Sequence, residues 1–424
     1  MKEKKEKVKK TGKQKFVKFL KVICVIIVVI AVIVGIITLL NTLGNRSNSN
    51  FIKGLAKVEY ENQLAPQLDE DGYYAIVSDD EINVMQLTDV HLGGGILSVK
   101  KDNLAINAVS AMISAEKPDL VIVTGDIAYP VPFQSLTFNN KNGAKLFAQL
   151  MEQLGVYWAP VFGNHDTEAY SFYTREQIYD FYTSGDYPHC IMQAGPEDVD
   201  GVGNYVVNVK KTSGEITQSL FLLDSHSYVD NDYFGIMWKY DTIHENQVQW
   251  YEDTLAKLTE ENGGAAPKSL VFFHIPLPEM KEAYDEWAEN GFKDTENVSH
   301  IYGYAGEHKS VVYGSEHNYG FFDKARELGS TQGILCGHDH LNNFAVDYKG
   351  MRMSYSYSVD YLAYVGIMKY GLQRGCTMID ISPDGSYNAH LENYYQDKYK
   401  PAAGKEAALM EQLNEDPGYS GQAS

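Results

Sequence analysis

In Ala159-Pro160-Val161-Phe162-Gly163-Asn164-His165-Asp166, an apolar run passes through a glycine into an amide, an imidazole and a carboxylate. Val121-Ile122-Val123-Thr124-Gly125-Asp126 and Gly333-Ile334-Leu335-Cys336-Gly337-His338 repeat the pattern. Short, β-branched apolar runs of this kind predict buried strands. In open α/β sheets, ligands gather beyond the strands' carboxyl ends. A glycine ahead of each polar residue leaves space for close approach to the backbone.

Five motifs follow in order over 252 residues: Asp89-Val90-His91, Gly125-Asp126, Gly163-Asn164-His165-Asp166, His274 and Gly337-His338-Asp339-His340. Asp89 and Asp126 are 37 residues apart, and Asp126 and Asn164 are 38 apart. Each interval holds about one strand-helix-strand unit of roughly 30 residues or more, so three successive strands are expected to present their ends side by side. Asp89 and His91, like His338 and His340, are two apart, and extended backbone would turn both members to one face. An isolated Asp-X-His or Gly-Asp is common in surface turns; the ordered set is not.

The residue types suit one chemistry. Two divalent cations about 4 Å apart need a shared anionic ligand, and Asp126 is the expected bridge. Imidazoles and an amide carbonyl complete the coordination without cancelling the charge. With only Asp89 and Asp126 as carboxylates, the centre keeps a positive surplus that binds phosphate and stabilises its transition state.

The set resembles the calcineurin-like metallophosphoesterase superfamily over roughly Ile82 to Ile381. The resemblance implies an α/β, four-layer fold of two mixed β-sheets packed face to face and flanked by helices. It places Asp89, His91, Asp126 and His340 around one metal, and Asp126, Asn164, His274 and His338 around a second, the pair being Fe, Zn or Mn. His165 corresponds to the catalytic histidine, serving the leaving oxygen while a metal-bound hydroxide attacks phosphorus in line. Asp166 is expected at a metal or behind its ligands.

One position departs from the commoner pattern. Many members carry an acidic residue three places after the bridging aspartate, where it orients the catalytic histidine, and here that place is Tyr129. This is similar to the purple acid phosphatase branch, where a tyrosine ligates ferric iron, although that branch usually lacks the histidine found at His91. Tyr129 is therefore either a ligand or a packing residue beside one. Leu222-Leu-Asp-Ser-His226 and Glu245-Asn-Gln-Val-Gln-Trp250 also look like that branch. His226, and His308 and His317 in the polar stretch 296–320, are candidate substrate contacts, the alternative for each being a structural role.

The amino terminus sets a location. Residues 1–21 form a Lys-rich segment with ten lysines and two glutamates, and Val22–Leu40 is an uncharged apolar run of 19 residues. A helix of that length spans about 30 Å of hydrocarbon and exceeds a secretory h-region. It predicts an uncleaved transmembrane signal anchor in contact with the lipid bilayer through residues 22–40. Lysines stay cytoplasmic, so a single-pass cell-membrane protein with its catalytic domain outside is expected. Asn45–Asn50 reads as a flexible stalk within a lead-in over 41–80. Residues 81–399 are expected to form the catalytic domain and 400–424 a loose tail.

Composition excludes some partners. The net charge is −20, and since residues 1–21 contribute +8, the remainder carries −28. No nucleic-acid-binding surface is expected from such a chain, and phosphate must be drawn by metals rather than by the long-range field. Three cysteines beyond Cys24 allow at most one disulfide. The 31 tyrosines, many clustered at 170–187, 302–319 and 355–370, read either as a sugar-binding rim or as loop-corner packing.

Later strands are predicted near Asn204–Val209, Ser219–Leu223, Ser269–His274, Gly333–Cys336, Phe344–Tyr348 and Thr377–Ile381, with helices at Glu245–Thr259, Glu279–Glu289 and Phe321–Leu328. Thr242 and Glu245 have capping-box spacing for the first of these helices. The function expected is hydrolysis of phosphate esters, monoesters favoured. A phosphodiesterase acting on nucleotides or envelope polymers is the alternative enzyme, and a catalytically silent binding module on the same fold is the alternative of another class.

Overall fold

A computed structural model describes residues 11–364 and 374–399. Residues 1–10 of the Lys-rich segment, the expected tail over 400–424 and Tyr370 of the last tyrosine cluster lie outside them.

The chain begins with helix α1 (Gly12–Lys53) and two short strands, β1 (Gln67–Leu68) and β2 (Tyr74–Val77). Strand and helix then alternate through β3 (Ile82–Leu87), α2 (Val99–Glu116), β4 (Leu120–Thr124), α3 (Pro132–Ser135), α4 (Asn140–Leu154), β5 (Trp158–Val161) and α5 (Arg175–Tyr182). The second half runs β6 (Tyr205–Lys210), β7 (Ile216–Leu222), α6 (Glu245–Glu261), β8 (Lys268–Phe272), α7 (Pro278–Glu289), β9 (Val298–Tyr302) and α8 (Phe321–Leu328). It closes with β10 (Thr331–Cys336), β11 (Ala345–Tyr348), β12 (Met351–Tyr355), β13 (Gly375–Ile381) and β14 (Tyr387–Asn393).

These strands form two mixed sheets, ordered β14-β13-β3-β4-β5 and β1-β2-β6-β7-β8-β10-β12-β11-β9. β3, β4 and β5 are parallel neighbours, as are β7, β8, β10 and β12. Alternation along the second sheet explains the layering. Leu220, Leu222, Leu270, Phe272 and Leu335 point into the core shared with the first sheet. Their neighbours Phe221, Leu223, Val271, Phe273, Ile334 and Cys336 join α6, α7 and α8 on the other side. Behind the first sheet, α2 and α4 bury Ile106, Val109, Ile113, Phe147 and Leu150. The result is the expected four-layer α/β arrangement, and the carboxyl ends of β3, β4, β5, β8 and β10 lead to the motif residues.

The linker differs from expectation. Asn45–Asn50 is not a flexible stalk but part of α1, which continues without a break to Lys53. Asn41, Gly44, Asn48 and Ile52 fall at helical spacing and are buried together, so one stripe of this polar stretch is a packing face. Gly44 permits it: a Cβ there would meet the Ile96 Cα and Val99 Cγ2 at 3.0 Å. Asn48 Nδ2 donates to the Val99 carbonyl and Asn103 Oδ1, both at 3.0 Å. The apolar stretch of the same helix is fully unburied, so it is not a core helix of the domain.

A second difference concerns α6. Its start at Glu245 agrees with expectation, but the cap lies two residues on, where Gln247 Oε1 accepts the His244 N–H at 2.7 Å.

Candidate metal centre

The motif residues sit just past strand ends, as their spacing implies, but the local backbone is not extended. Asp89, His91 and Asp126 have φ of 52°, 52° and 54°, and His338 has 80°. The expectation that i,i+2 pairs share a face through strand geometry is thereby corrected: left-handed turns aim these side chains. Non-glycine residues in that region cost about 1–3 kcal/mol each and persist only where surroundings impose them. Here the imposing bonds are Asp89 N–H to the Gly125 carbonyl at 3.2 Å and His91 N–H to the Asp126 carbonyl at 3.0 Å.

The glycines make room for the site's own side chains. A Cβ on Gly163 would fall 2.1 Å from Asp126 Oδ1, and one on Gly337 1.8 Å from Thr88 Oγ1.

Asp126 is central. Its Oδ2 lies 3.3 Å from His91 Nε2 and 3.1 Å from His274 Nε2, facing both groups of residues at once. Burial works to raise its carboxyl pKa, but His274, His165 and His91 hold it well below the usual range. On one side, Asp89, His91, Asp126 and His340 bring ligand atoms within 4.8 Å of one another. Asp89 Oδ1 is buried there, 3.4 Å from His340 Nε2. On the other side, Asn164 Oδ1 lies 3.2 Å from His274 Nε2 and 3.0 Å from His338 Nδ1.

These donor sets fit cations. His274 Nδ1 lies 2.8 Å from the Thr124 carbonyl, which accepts its N–H and turns Nε2 toward Asp126 and Asn164. His274 Nε2, Asn164 Oδ1 and Asp126 Oδ2 then face one another in a buried space, where burial is outweighed by Asp126, which raises the His274 pKa to about 9, so the arrangement calls for positive charge among these atoms. His338, pushed well below its usual pKa by burial and by neighbouring His274, is held as a neutral imidazole.

The supporting residues are not legible as motifs. Asp360, five residues beyond β12, lies 3.7 Å from His91 Nδ1 and 3.3 Å from His340 Nδ1. It stands behind both rings and leaves each Nε2 facing the centre. Burial would raise its carboxyl pKa, but His91 and His340 hold it well down. Glu168 Oε1 is 2.7 Å from His165 Nδ1. Tyr228 accepts from Asn164 Nδ2 at 2.9 Å and donates to the same Glu168 Oε1 at 3.1 Å. Asp102 accepts the N–H groups of Gly93 and Gly94 at 2.9 and 3.0 Å, bracing the loop after His91.

The remaining candidates divide. His165 lies beside the cluster, its ring 5.6 Å from that of His91, its N–H donating to Asp126 Oδ1 at 2.8 Å. Burial opposes its protonation, yet Asp126 and Glu168 outweigh this and raise its pKa. Tyr129 packs edge-on against both His91 and His165, with centroids 4.9 Å away in each case. Burial, Asp360 and Asp126 hold its phenol well above the usual value.

Asp166 turns away from the centre. It accepts the N–H groups of Asp126, Ala128 and Gly163 at 2.9, 2.8 and 2.9 Å, tying two strand exits together. His226 stacks on His244 at 4.0 Å and bonds Gln247 through Nε2 at 2.9 Å. With Asp241 these two histidines converge within 4.8 Å, where His244 Nδ1 meets Asp200 at 2.7 Å and Nε2 meets Asp241 at 3.0 Å. His308 is exposed. His317 meets Asp230 at 3.2 Å in a groove of about 310 Å³ that Tyr240 also lines, and the Tyr240 ring lies 4.2 Å from that of His338.

Comparison with known proteins identifies the class. The calcineurin-like phosphoesterase family profile matches residues 82–342. "Probable inactive purple acid phosphatase 14" of Arabidopsis thaliana is 30% identical over 315 residues, covering 68% of this chain and 72% of that one. "Phosphatase DCR2" of Saccharomyces cerevisiae is 28% identical over 284 residues, covering 63% of this chain and 45% of that one. A solved dimetal phosphatase from Danio rerio superposes on 73% of this chain and 98% of its own, at 12% identity and a TM-score of 0.38. The chain belongs to the calcineurin-like phosphoesterase family, on its purple acid phosphatase-like side.

Proposed function

We propose that this protein is a membrane-anchored, dinuclear-metal phosphoesterase with a preference for phosphomonoesters. The observation that carries the reading is the position of Asp126 Oδ2, 3.3 Å from His91 and 3.1 Å from His274, between two sets of buried ligand-type atoms. Asp89, His91, Asp126 and His340 would hold one ion, and Asp126, Asn164, His274 and His338 the other. When bound, the pair, from among Fe, Zn and Mn, would polarise a phosphoryl group and acidify a water.

The chain's own groups supply the rest. His165 keeps Nδ1 on Glu168, so its other nitrogen is the one available to give a proton to the leaving oxygen. Tyr228 takes the Asn164 amide N–H, which leaves the amide oxygen for the centre. Tyr129 borders His91 and His165 as a packing residue, edge-on to both rings. The unburied apolar helix supports a bilayer anchor. The lysines before it favour a cytoplasmic amino terminus and a catalytic domain outside the cell.

Several relatives carry "inactive" in their names, which favours a silent binding module as the second reading. Turnover of nitrophenyl phosphate and of the bis-nitrophenyl diester, after loading with Mn, Zn or Fe, separates the readings. Faster monoester turnover is expected; faster diester turnover favours a phosphodiesterase, and no turnover with a filled centre favours the silent module.

A further inference from the structure

The catalytic domain carries an apolar rim beside the end of the apolar helix. Phe133 is 94% exposed, Phe172 65% and Phe138 43%. Pro132, Leu136, Phe138 and Phe172 line one wall of a groove of about 500 Å³ whose opposite wall includes Val34, Ile37 and Thr38 of α1. Those α1 residues lie within the apolar run, so at this point the domain stands at the depth of the helix's outer end.

The junction is fixed. Asn41, directly after the run, donates to the Leu136 carbonyl at 2.7 Å and accepts the Ile96 N–H at 2.9 Å. Asn45 donates to the Asn142 carbonyl at 3.3 Å. Because α1 is continuous and packed on α2 and α4, the rim cannot lie far from whatever surrounds Val34 and Ile37. Lys145 lines the same groove, and Arg46 is exposed one turn beyond Thr42, as suits an anionic headgroup layer.

Two short routes run from this junction toward the metal centre. Ile96 follows His91 by five residues, at most about 18 Å of extended chain. A second line of contacts runs from Phe172 to Phe138 at 6.2 Å and from Phe138 to Tyr170 at 6.0 Å. Tyr170 is two residues beyond the Glu168 that holds His165.

We infer that Phe133, Phe138 and Phe172 form a bilayer-seated rim, which places the metal centre within reach of phosphate esters carried by membrane lipids. The inference rests on the anchored-phosphoesterase reading and deepens it. An apolar surface continuous with a membrane helix lowers its free energy by leaving water for the interface. A substrate held in the same plane is presented at high local concentration.

Two labels test it in full-length protein reconstituted in vesicles of neutral and anionic phospholipid. On a Cys24→Ser background, Leu39→Cys and Phe133→Cys each carry bimane, and a lipid with a shallow nitroxide is the quencher. Quenching of both labels by about twofold or more is expected. Quenching at position 39 but not at 133 overturns the rim and leaves the anchor standing; quenching at neither overturns the anchor itself. A second measurement compares wild type with Phe133→Ser/Phe138→Ser/Phe172→Ser. Turnover of a phosphomonoester on a diacylglycerol in the vesicle should fall about tenfold while nitrophenyl phosphate turnover stays unchanged. Equal change in both, or none, overturns the substrate assignment, whereas wild-type protein inert on both substrates overturns the phosphoesterase reading beneath it.

Discussion

Glu168 Oε1 lies 2.7 Å from His165 Nδ1, three residues along the same turn. The chain has Tyr129 where many family members carry the acid that orients this histidine, and Glu168 is placed to do that work from within the histidine's own turn. Glu168→Gln should therefore lower kcat by about 10- to 100-fold. It should also shift the limb of the pH profile that reports His165 downward, because a carboxylate that raises the His165 pKa is lost. Metal content measured on the same sample should stay unchanged; its loss would make Glu168 a support of the centre instead.

Tyr228 couples that pair to a ligand. Its hydroxyl accepts from Asn164 Nδ2 and donates to Glu168, so Tyr228→Phe frees the amide to rotate. Affinity for the more weakly held ion is expected to fall about 10-fold or more, read by competition with a chromogenic chelator. An unchanged affinity would show that the metals alone orient Asn164.

The helical junction predicts a stability effect at a residue that composition places in a linker. Gly44→Val brings branched carbons against Ile96 and Val99, where even a Cβ finds neighbours at 3.0 Å. A loss of about 1–3 kcal/mol is expected, seen in the thermal midpoint, together with new protease cleavage near Asn45–Asn50. A flexible stalk would instead be cut in the unmutated protein and would ignore the substitution.

His244 gives a pH-dependent contribution. Bonds to Asp241 and Asp200 raise its pKa to about 9 from an ordinary 6.5. A raised histidine contributes stability that is complete below about pH 6.5 and is lost as pH rises through about 9. Denaturant midpoints at about pH 6 and about pH 9.5 should therefore differ less in His244→Gln than in the unmutated chain. An equal difference in both proteins contradicts the assignment.

Strand runs and their glycines are readable because burial on both faces leaves a continuous apolar string: β4 and β10 end directly before Gly125 and Gly337, and β5 ends close to Gly163. The edge strands β9 and β14 are not, since half-exposed patterns such as Val298-Ser-His-Ile-Tyr302 carry weaker apolar periodicity. The motif histidines and carboxylates are legible as a set, but their left-handed backbone is not, because φ above zero at Asp89 or His91 is imposed by neighbouring strand exits. Asp360 lacks any local signal, as it meets His91 and His340 only through the fold. Glu168 has one, its i,i+3 spacing from His165. The helical continuation through Asn45–Asn50 is hidden by composition: asparagine and serine disfavour a helix alone, and tertiary bonds from Asn41, Asn45 and Asn48 override that preference.

The number of ions per chain separates a bridged pair from anything less. Elemental analysis of the purified full-length protein, after loading and removal of excess Mn, Zn or Fe, should give two ions per chain, and Asp126→Ala should lose both. One ion that survives Asp126→Ala, or none in the unmutated chain, would contradict a dinuclear centre bridged at Asp126.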